Sequence, residues 1–292
     1  MLMTNRLNLP QPIVDAVKAH RYDGPTGQDE RYSVTTLIGP PQIAQLVRQH
    51  ENELVEDVSE RIWALMGSAM HEILAKANTN AIVEQRLETR VDGAVVSGAF
   101  DRMALIEDSR RKAFVLQDYK FASVWEVIYG TKPERIQQLN LYAWLATCNG
   151  YKVDAIENVM LLRDWKMREA KNNHEYPQQQ VAVIPQPLAP LEDTEEFVVE
   201  RIALHRRARA GETVECTDED RWMKPEQFAV MKTGNKRATK VFNAHNEAFD
   251  WATTNMPAGK WEIETRRGEA VRCESYCPVA DFCPQRQKEI RG

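Results

Sequence analysis

No cysteine precedes Cys148, no apolar run approaches the length of a membrane span, and no excess of positive charge spreads along the chain. The first absence confines any thiolate site to the C-terminal half. The second excludes a helical membrane span; with 43% hydrophobic and 28% charged residues the composition is that of an ordinary globular chain. The N-terminal stretch MLMTNRLNLPQP also lacks the apolar region of a secretory signal, so a cytoplasmic location is expected. Lysine and arginine number 38 against 43 aspartates and glutamates, a net charge of −5, so nucleic acid would meet no general attraction and would need local patches. His205 to Arg209 (HRRAR) and Lys232 to Lys240 (KTGNKRATK) are candidates, the second reading as a hairpin across Gly234 and Asn235. A solvated charged face is the alternative for each. No internal repeat is visible, and 292 residues suffice for one large domain or a core with an appendage.

What is present centres on Gly98 to Lys120, GAFDRMALIEDSRRKAFVLQDYK. Asp118 and Lys120 are one residue apart, and because side chains alternate faces along a strand, the carboxylate and the ammonium share a face. Asp101 lies on the preceding apolar run. The EDSRRK segment between them is polar enough to be a hairpin loop, so two carboxylates and a lysine converge. Alone, this stretch indicates an ion site. Before it, AIVEQRLETRV, the Asp92-Gly93 turn and AVVSGAFDRMALI read as strand, turn and strand, giving a three-stranded antiparallel meander over 81–122. Glu84 and Glu88 share parity on its first strand. One of them could reach the site, although surface carboxylates are the simpler reading.

Residues 1–32 are rich in Pro, Asn, Gly and charge and read as a loosely ordered lead-in. From Arg61 to Ala77 the apolar spacing Ile62, Leu65, Met66, Ala69, Ile73 predicts an amphipathic helix. His71 projects away from the centre of that stripe, and Gly67, one turn earlier, allows close approach beside it. Lys132 to Cys148 reads as a second helix started by Pro133, with Gln138 and Tyr142 on one face. Cys148, at its end, is expected to be a buried packing residue. AIENVMLLRDW supplies a fourth strand and QQQVAVIPQPL another. EDTEEFVVERIALHRRAR reads as a helix with acidic first and basic last turns.

The order αβββαβ, with GSAMH on the first helix, GAFD on the second strand, DYK on the third and QLNLY on the next helix, resembles the PD-(D/E)XK nuclease superfamily. Within it the chain looks like the RecB-like branch, which includes CRISPR-associated and many phage-encoded exonucleases. The match covers roughly Val34 to Trp165. The third-strand acid is aspartate where many relatives carry glutamate, and the family accepts either; the signature proline before Asp101 is absent, which the RecB-like branch commonly tolerates. The resemblance implies an α/β (α+β) restriction-endonuclease-like core over 33–210, with a C-terminal cysteine-bearing module over 211–292 packed on it. It implies a divalent-metal-dependent DNA exonuclease of recombination, replication or DNA processing in a bacterial host cell. A structure-specific or restriction-type endonuclease and a non-catalytic DNA-binding subunit are the alternatives. By the same resemblance Asp101, Asp118 and Lys120 are catalytic, and His71, Asp101, Asp118 and the backbone carbonyl of Tyr119 hold Mg²⁺ or Mn²⁺, the histidine favouring Mn²⁺. Lys120 would orient or deprotonate the attacking water. Gln138, Tyr142 and Glu84 would position the substrate, DNA that is single-stranded or has a free end. A strand-annealing or single-strand-binding protein is an implied partner.

Cys273, Cys277 and Cys283 have the spacing CxxxCxxxxxC, and Cys216 can supply a fourth thiolate for a [4Fe-4S] cluster or a structural Zn²⁺; free cysteines are the remaining reading. YCPVADFCPQ looks like the closing motif of the cluster that RecB-like exonucleases often carry. In those relatives the first cysteine usually precedes the nuclease core, whereas here Cys216 would have to complete the set. Either metal would pin the C-terminal tail.

Overall fold

In the computed structural model, which describes residues 2–20, 30–77, 80–106 and 112–291, the chain separates into two units, Met1–Glu212 and Thr213–Gly292. The first unit opens with β1 (Leu2–Thr4), α1 (Gln11–Ala19), β2 (Arg31–Ser33), α2 (Val34–Ile38), α3 (Pro41–Gln49) and β3 (Val55–Asp57). A 3-10 turn over Val58–Arg61 leads into α4 (Ile62–Ala77), followed by the strands β4 (Ala81–Val91), β5 (Ala94–Leu105) and β6 (Phe114–Ala122). Then come α5 (Val124–Tyr129), α6 (Pro133–Cys148), β7 (Val153–Leu162), α7 (Met167–Asn172), β8 (Val181–Gln186) and α8 (Leu191–Arg209). Local chemistry sets several of these boundaries. Ser33 and Ser123 accept hydrogen bonds from the first turns of α2 and α5, and Pro41 and Pro133 stand where α3 and α6 begin. Asp92 and Gly93 both take positive φ, 47° and 79°, as a tight two-residue hairpin turn requires.

Strand β5 is the hub of a six-stranded mixed sheet. Along one edge it pairs antiparallel with β4 over almost its whole length. Its other edge is divided: β2 runs parallel to Val95–Ser97, and β6 runs antiparallel to Arg102–Leu105. Past Gln117, β6 therefore leaves β5 and continues beside β7 in parallel, and β7 pairs antiparallel with β8. The resulting fork opens at Asp101. Helix α6 covers the sheet with Leu139, Leu141, Trp144 and Leu145, which join Phe100, Leu116, Ile156 and Ile202 in the main core. Burial of this size and apolarity is the dominant stabilising contribution.

Several expectations are corrected. Residues 2–19 are not a loose lead-in: β1 pairs with β3, and Val14 and Val17 of α1 bury against Val58. Asp57 anchors this segment by accepting from the Arg6 backbone and the Thr4 hydroxyl. Cys148 is exposed, because the packed part of α6 ends at Ala146. The apolar stripe expected of α4 is largely outside, with Met66 and Ile73 exposed and Met70 the buried residue, so the helix is rotated toward its His71 edge. Helix α5 was not expected. In the HRRAR segment His205 is buried, Arg206 is engaged by Glu30 and Asp92, and Arg207 by Glu212, so most of its charge is already partnered. Of the expected EDSRRK loop, residues 107–111 lie outside the described residues.

The second unit comprises β9 (Met223–Lys224), β10 (Gln227–Lys232), β11 (Ala238–Phe242), α9 (His245–Asn255), β12 (Trp261–Arg266), β13 (Glu269–Ala270), α10 (Val271–Ser275) and α11 (Pro284–Arg291). Its sheet has the order β11-β10-β12, all antiparallel, and α9 buries Ala248 and Ala252 with Val230. KTGNKRATK is the hairpin between β10 and β11, with Gly234 at φ 83°. Strand β13 pairs with β9. No helix among the described residues is long and apolar enough to cross a membrane.

Candidate metal centre

The fork between β5 and β6 places acidic groups where backbone amides are released from sheet pairing. Asp101, 7% exposed, sits one residue before the last β5–β6 pair, Arg102 with Gln117, and its Oδ2 accepts the Tyr119 N–H at 2.6 Å. The register across β4 and β5 sets Val83 opposite Arg102 and Gln85 opposite Phe100, which leaves Glu84 facing Asp101. Glu84 has φ 48°, an uncommon conformation for a residue other than glycine, and the local pairing is interrupted there. Two carboxylates directly across a strand pair repel one another. Here His71 of α4 stands between them, its Nδ1 3.2 Å from Asp101 Oδ1 and 3.6 Å from Glu84 Oε1. Donor atoms of His71, Glu84 and Asp101 all lie within 4.8 Å of one another.

His71 is oriented from its other side, where Nε2 donates to the Tyr119 carbonyl at 3.1 Å. That carbonyl, expected as a ligand, accepts from the imidazole with one of its two lone pairs. Hydrogen bonds to Asp101 and then Glu84 push the His71 pKa up to about 10, so without a cation the ring carries the positive charge that separates the two acids. The imidazole borders a cleft of about 730 Å³ lined by Gly67, Ser68, Glu72 and Glu84, and a side chain on Gly67 would meet nothing within 4 Å.

Asp118 and Lys120 lie on the same side of β6, as their spacing predicts, and the Lys120 ammonium donates to Asp118 Oδ1 at 2.7 Å. Burial pushes the Asp118 pKa up to about 6, against the opposing pull of Lys120. Its second oxygen is held by a residue that the sequence reading passed over. Asn158 on β7 is opposite Asp118 in the parallel register and donates to Asp118 Oδ2 at 3.2 Å. Asn158 is fully buried, and among the described residues its Oδ1 has no hydrogen-bond partner. The available signal was a lone amide inside the apolar run AIENVMLL.

The remaining expected positions are arranged differently. Gln138 donates to the Tyr142 hydroxyl at 2.9 Å, and Tyr142 lies against Gly98, where a Cβ would come within 2.7 Å of the ring. This ties the pair to β5 three residues from Asp101. Glu88 accepts from Arg31 at 2.8 Å and lies outside the site.

In the second unit, Cys216 is joined to α11 by a reciprocal pair of hydrogen bonds: its N–H donates to Gln285 Oε1 at 2.9 Å, and Gln285 Nε2 donates to its carbonyl at 3.0 Å. Burial pushes the Cys216 thiol up to about 12, helped by Asp220 and by the nearby Cys283, Cys273 and Cys277. The four thiols are thus neighbours. Among the described residues no three of them lie within 4.8 Å of one another, whereas a tetrahedral zinc with bonds of about 2.3 Å needs sulfurs about 3.8 Å apart.

No protein-family model matches the sequence, and comparison with curated proteins gave no match. Among solved structures the chain is similar to SSO0001 over 94% of each chain, at 14% identity and a TM-score of 0.50, a likeness of fold. It also aligns with an alkaline exonuclease from Laribacter hongkongensis over 62% of this chain and 90% of that one, at 14% identity and a TM-score of 0.36, too slight a likeness to argue from.

Proposed function

We propose that this chain is a divalent-metal-dependent deoxyribonuclease of the PD-(D/E)XK type, in its RecB-like branch, acting from DNA ends. The observation that carries the reading is the meeting of His71, Glu84 and Asp101 within 4.8 Å beside the Asp118–Lys120 ion pair. A histidine with two carboxylates suits Mn²⁺, and Mg²⁺ through the oxygens. A cation there would replace the proton on His71, relieve the repulsion between Glu84 and Asp101, and offset charge on a bound phosphodiester.

The protein's own groups account for the remaining chemistry. Asp118, held through both oxygens by Lys120 and Asn158, fixes the ammonium at the mouth of the fork. From there the half-buried Lys120 ammonium can donate to a water, orient it toward phosphorus and offset phosphate charge. Asp101 is locked by the Tyr119 amide, and the Tyr119 carbonyl fixes which imidazole nitrogen faces the cation. These contacts preorganise the site before any substrate arrives.

The test is timed digestion of 5′-labelled and 3′-labelled linear DNA beside covalently closed circular DNA, with Mg²⁺ or Mn²⁺. Shortening of linear DNA while circles stay intact is the expected result. Nicking of circles at an equal rate would favour the endonuclease reading.

For the cysteines of the second unit, a [4Fe-4S] cluster fits the donor set better than zinc does. Four thiolates more widely spaced than a single tetrahedral ion requires can surround a cubane, and a module with so small an apolar core gains stability from such a group. Its role would be structural.

A further inference from the structure

Immediately after Lys120, β6 runs through Phe121 and Ala122 into α5, and that junction carries exposed aromatic surface that no part of the metal centre uses. Trp125 is 54% exposed and Tyr129 81%, and their rings are stacked, with centroids 5.6 Å apart and planes 12° from parallel. They border a hollow of about 380 Å³ shared with Lys132, Arg135 and Arg163. Arg135 is paired with Glu126, and the Arg163 guanidinium lies 4.8 Å from the ring of Trp63 on α4, itself 57% exposed. Exposed aromatic surface on three rings, set beside cations, is the kind of patch that marks an interaction site.

Their placement gives that use a direction. Trp63, Gly67 and His71 recur every fourth residue on α4, so a ring, a gap and a metal-site imidazole follow one line along the helix. Trp63 and His71 are then roughly 12 Å apart at 1.5 Å per residue. The open space over Gly67 leaves room for a chain to pass close to the helix. Arg163 joins this line to α5 and the end of the strand bearing Asp118 and Lys120.

We propose that Trp125, Tyr129 and Trp63 form a base-stacking platform for single-stranded DNA, with Lys132 and Arg163 facing its phosphates. The platform delivers the strand past Gly67 to the centre at Asp101, Asp118 and Lys120. This rests on the nuclease reading for its destination and names the substrate form that reading leaves open. Aromatic faces accept any base, and duplex DNA, whose bases are already stacked, cannot use them. The site therefore selects unpaired strands without selecting sequence.

The test is fluorescence anisotropy of the full-length protein with a labelled oligothymidine in EDTA, beside a base-free oligomer of equal phosphate number and a blunt duplex. Trp125→Ala and Tyr129→Ala, both exposed and checked by thermal melting, are each expected to weaken oligothymidine binding about tenfold. Binding of the base-free oligomer and of the duplex is expected to be unchanged by either substitution, and Trp125→Phe to restore most of the loss. Wild-type-like affinity of both alanine variants for oligothymidine, or no oligothymidine binding by the wild type, overturns the platform. Base-dependent binding without cleavage in any divalent metal would uphold the platform and sink the nuclease reading. Cleavage that ignores the aromatic substitutions would do the reverse.

Discussion

Asn158 carries the sharpest residue-scale consequence, because it is a neutral side chain holding the Asp118 carboxylate, which burial tends to protonate. Asn158→Ala leaves Asp118 Oδ2 without that donor and loosens the ammonium it positions. The expected outcome is a fall in cleavage of about 10- to 100-fold with the melting curve little changed, the usual size for a group supporting a ligand or acid at one remove. Equal activity in Asn158→Ala would remove the residue from the account. Parity made the Asp118–Lys120 pair legible, since two residues on one strand cannot escape their shared face. Parity could not decide between Glu84 and Glu88, which share it. The structure separates them by where β4 lies: Glu84 faces Asp101, and Glu88 reaches Arg31. Asn158 was hidden for a different reason. Its value depends on which strand lies beside β6, and a parallel neighbour brought in by a helical crossover leaves no local trace.

At the scale of elements, the order of strands and the three long helices α4, α6 and α8 could be read from periodicity, turn chemistry and end charges. The orientation of α4 could not. Its apolar residues predict one buried stripe, yet Met66 and Ile73 are exposed, and the helix is seated by Ile62 and Leu65 against the α1 cluster and by the buried Met70. Helix α6 is seated by Gly98, where the Tyr142 ring and Val34 leave no room for a methyl group. Gly98→Ala is expected to destabilise the protein by about 1–3 kcal/mol in urea unfolding, and the double variant with Val34→Ala to recover part of the loss. A neutral Gly98→Ala would mean that this contact yields freely. Helix α8 adds a pH dependence through His205, whose pKa is pushed down to about 4 by burial and then by Arg201. Between the ordinary value near 6.5 and that lowered value, the unfolded chain holds more protons than the folded one. Stability therefore falls as pH falls across this window, by a total on the order of 3 kcal/mol. His205→Gln should flatten the dependence of urea midpoint on pH between about 6.5 and 4. An unaltered slope would assign it to other groups.

Taken whole, the molecule combines a net charge of −5 with two separately built units, and both facts constrain how it can work. The overall charge repels DNA, so on the proposed nuclease reading affinity would come from a few local cations and from stacking. The second unit, with a small core around α9, has reason to rely on its cysteines. Protein purified without air is expected to be brown with matched iron and sulfide, and Cys216→Ser to lose that colour and melt earlier; stoichiometric zinc with no iron would contradict this. The cysteine spacing suggests a metal site but not which metal, because zinc and a cluster differ in the distance between thiols, which spacing in sequence does not encode. The account turns on the convergence of His71, Glu84, Asp101, Asp118 and Lys120, and one measurement addresses it most directly. In a Mn²⁺ titration of end-labelled DNA cleavage, highly purified wild-type protein should gain activity that EDTA removes. Lys120→Ala, with an unchanged melting curve, should lose about 10²–10⁴-fold of it. Undiminished cleavage by Lys120→Ala, or cleavage indifferent to Mn²⁺ and EDTA, would contradict the account.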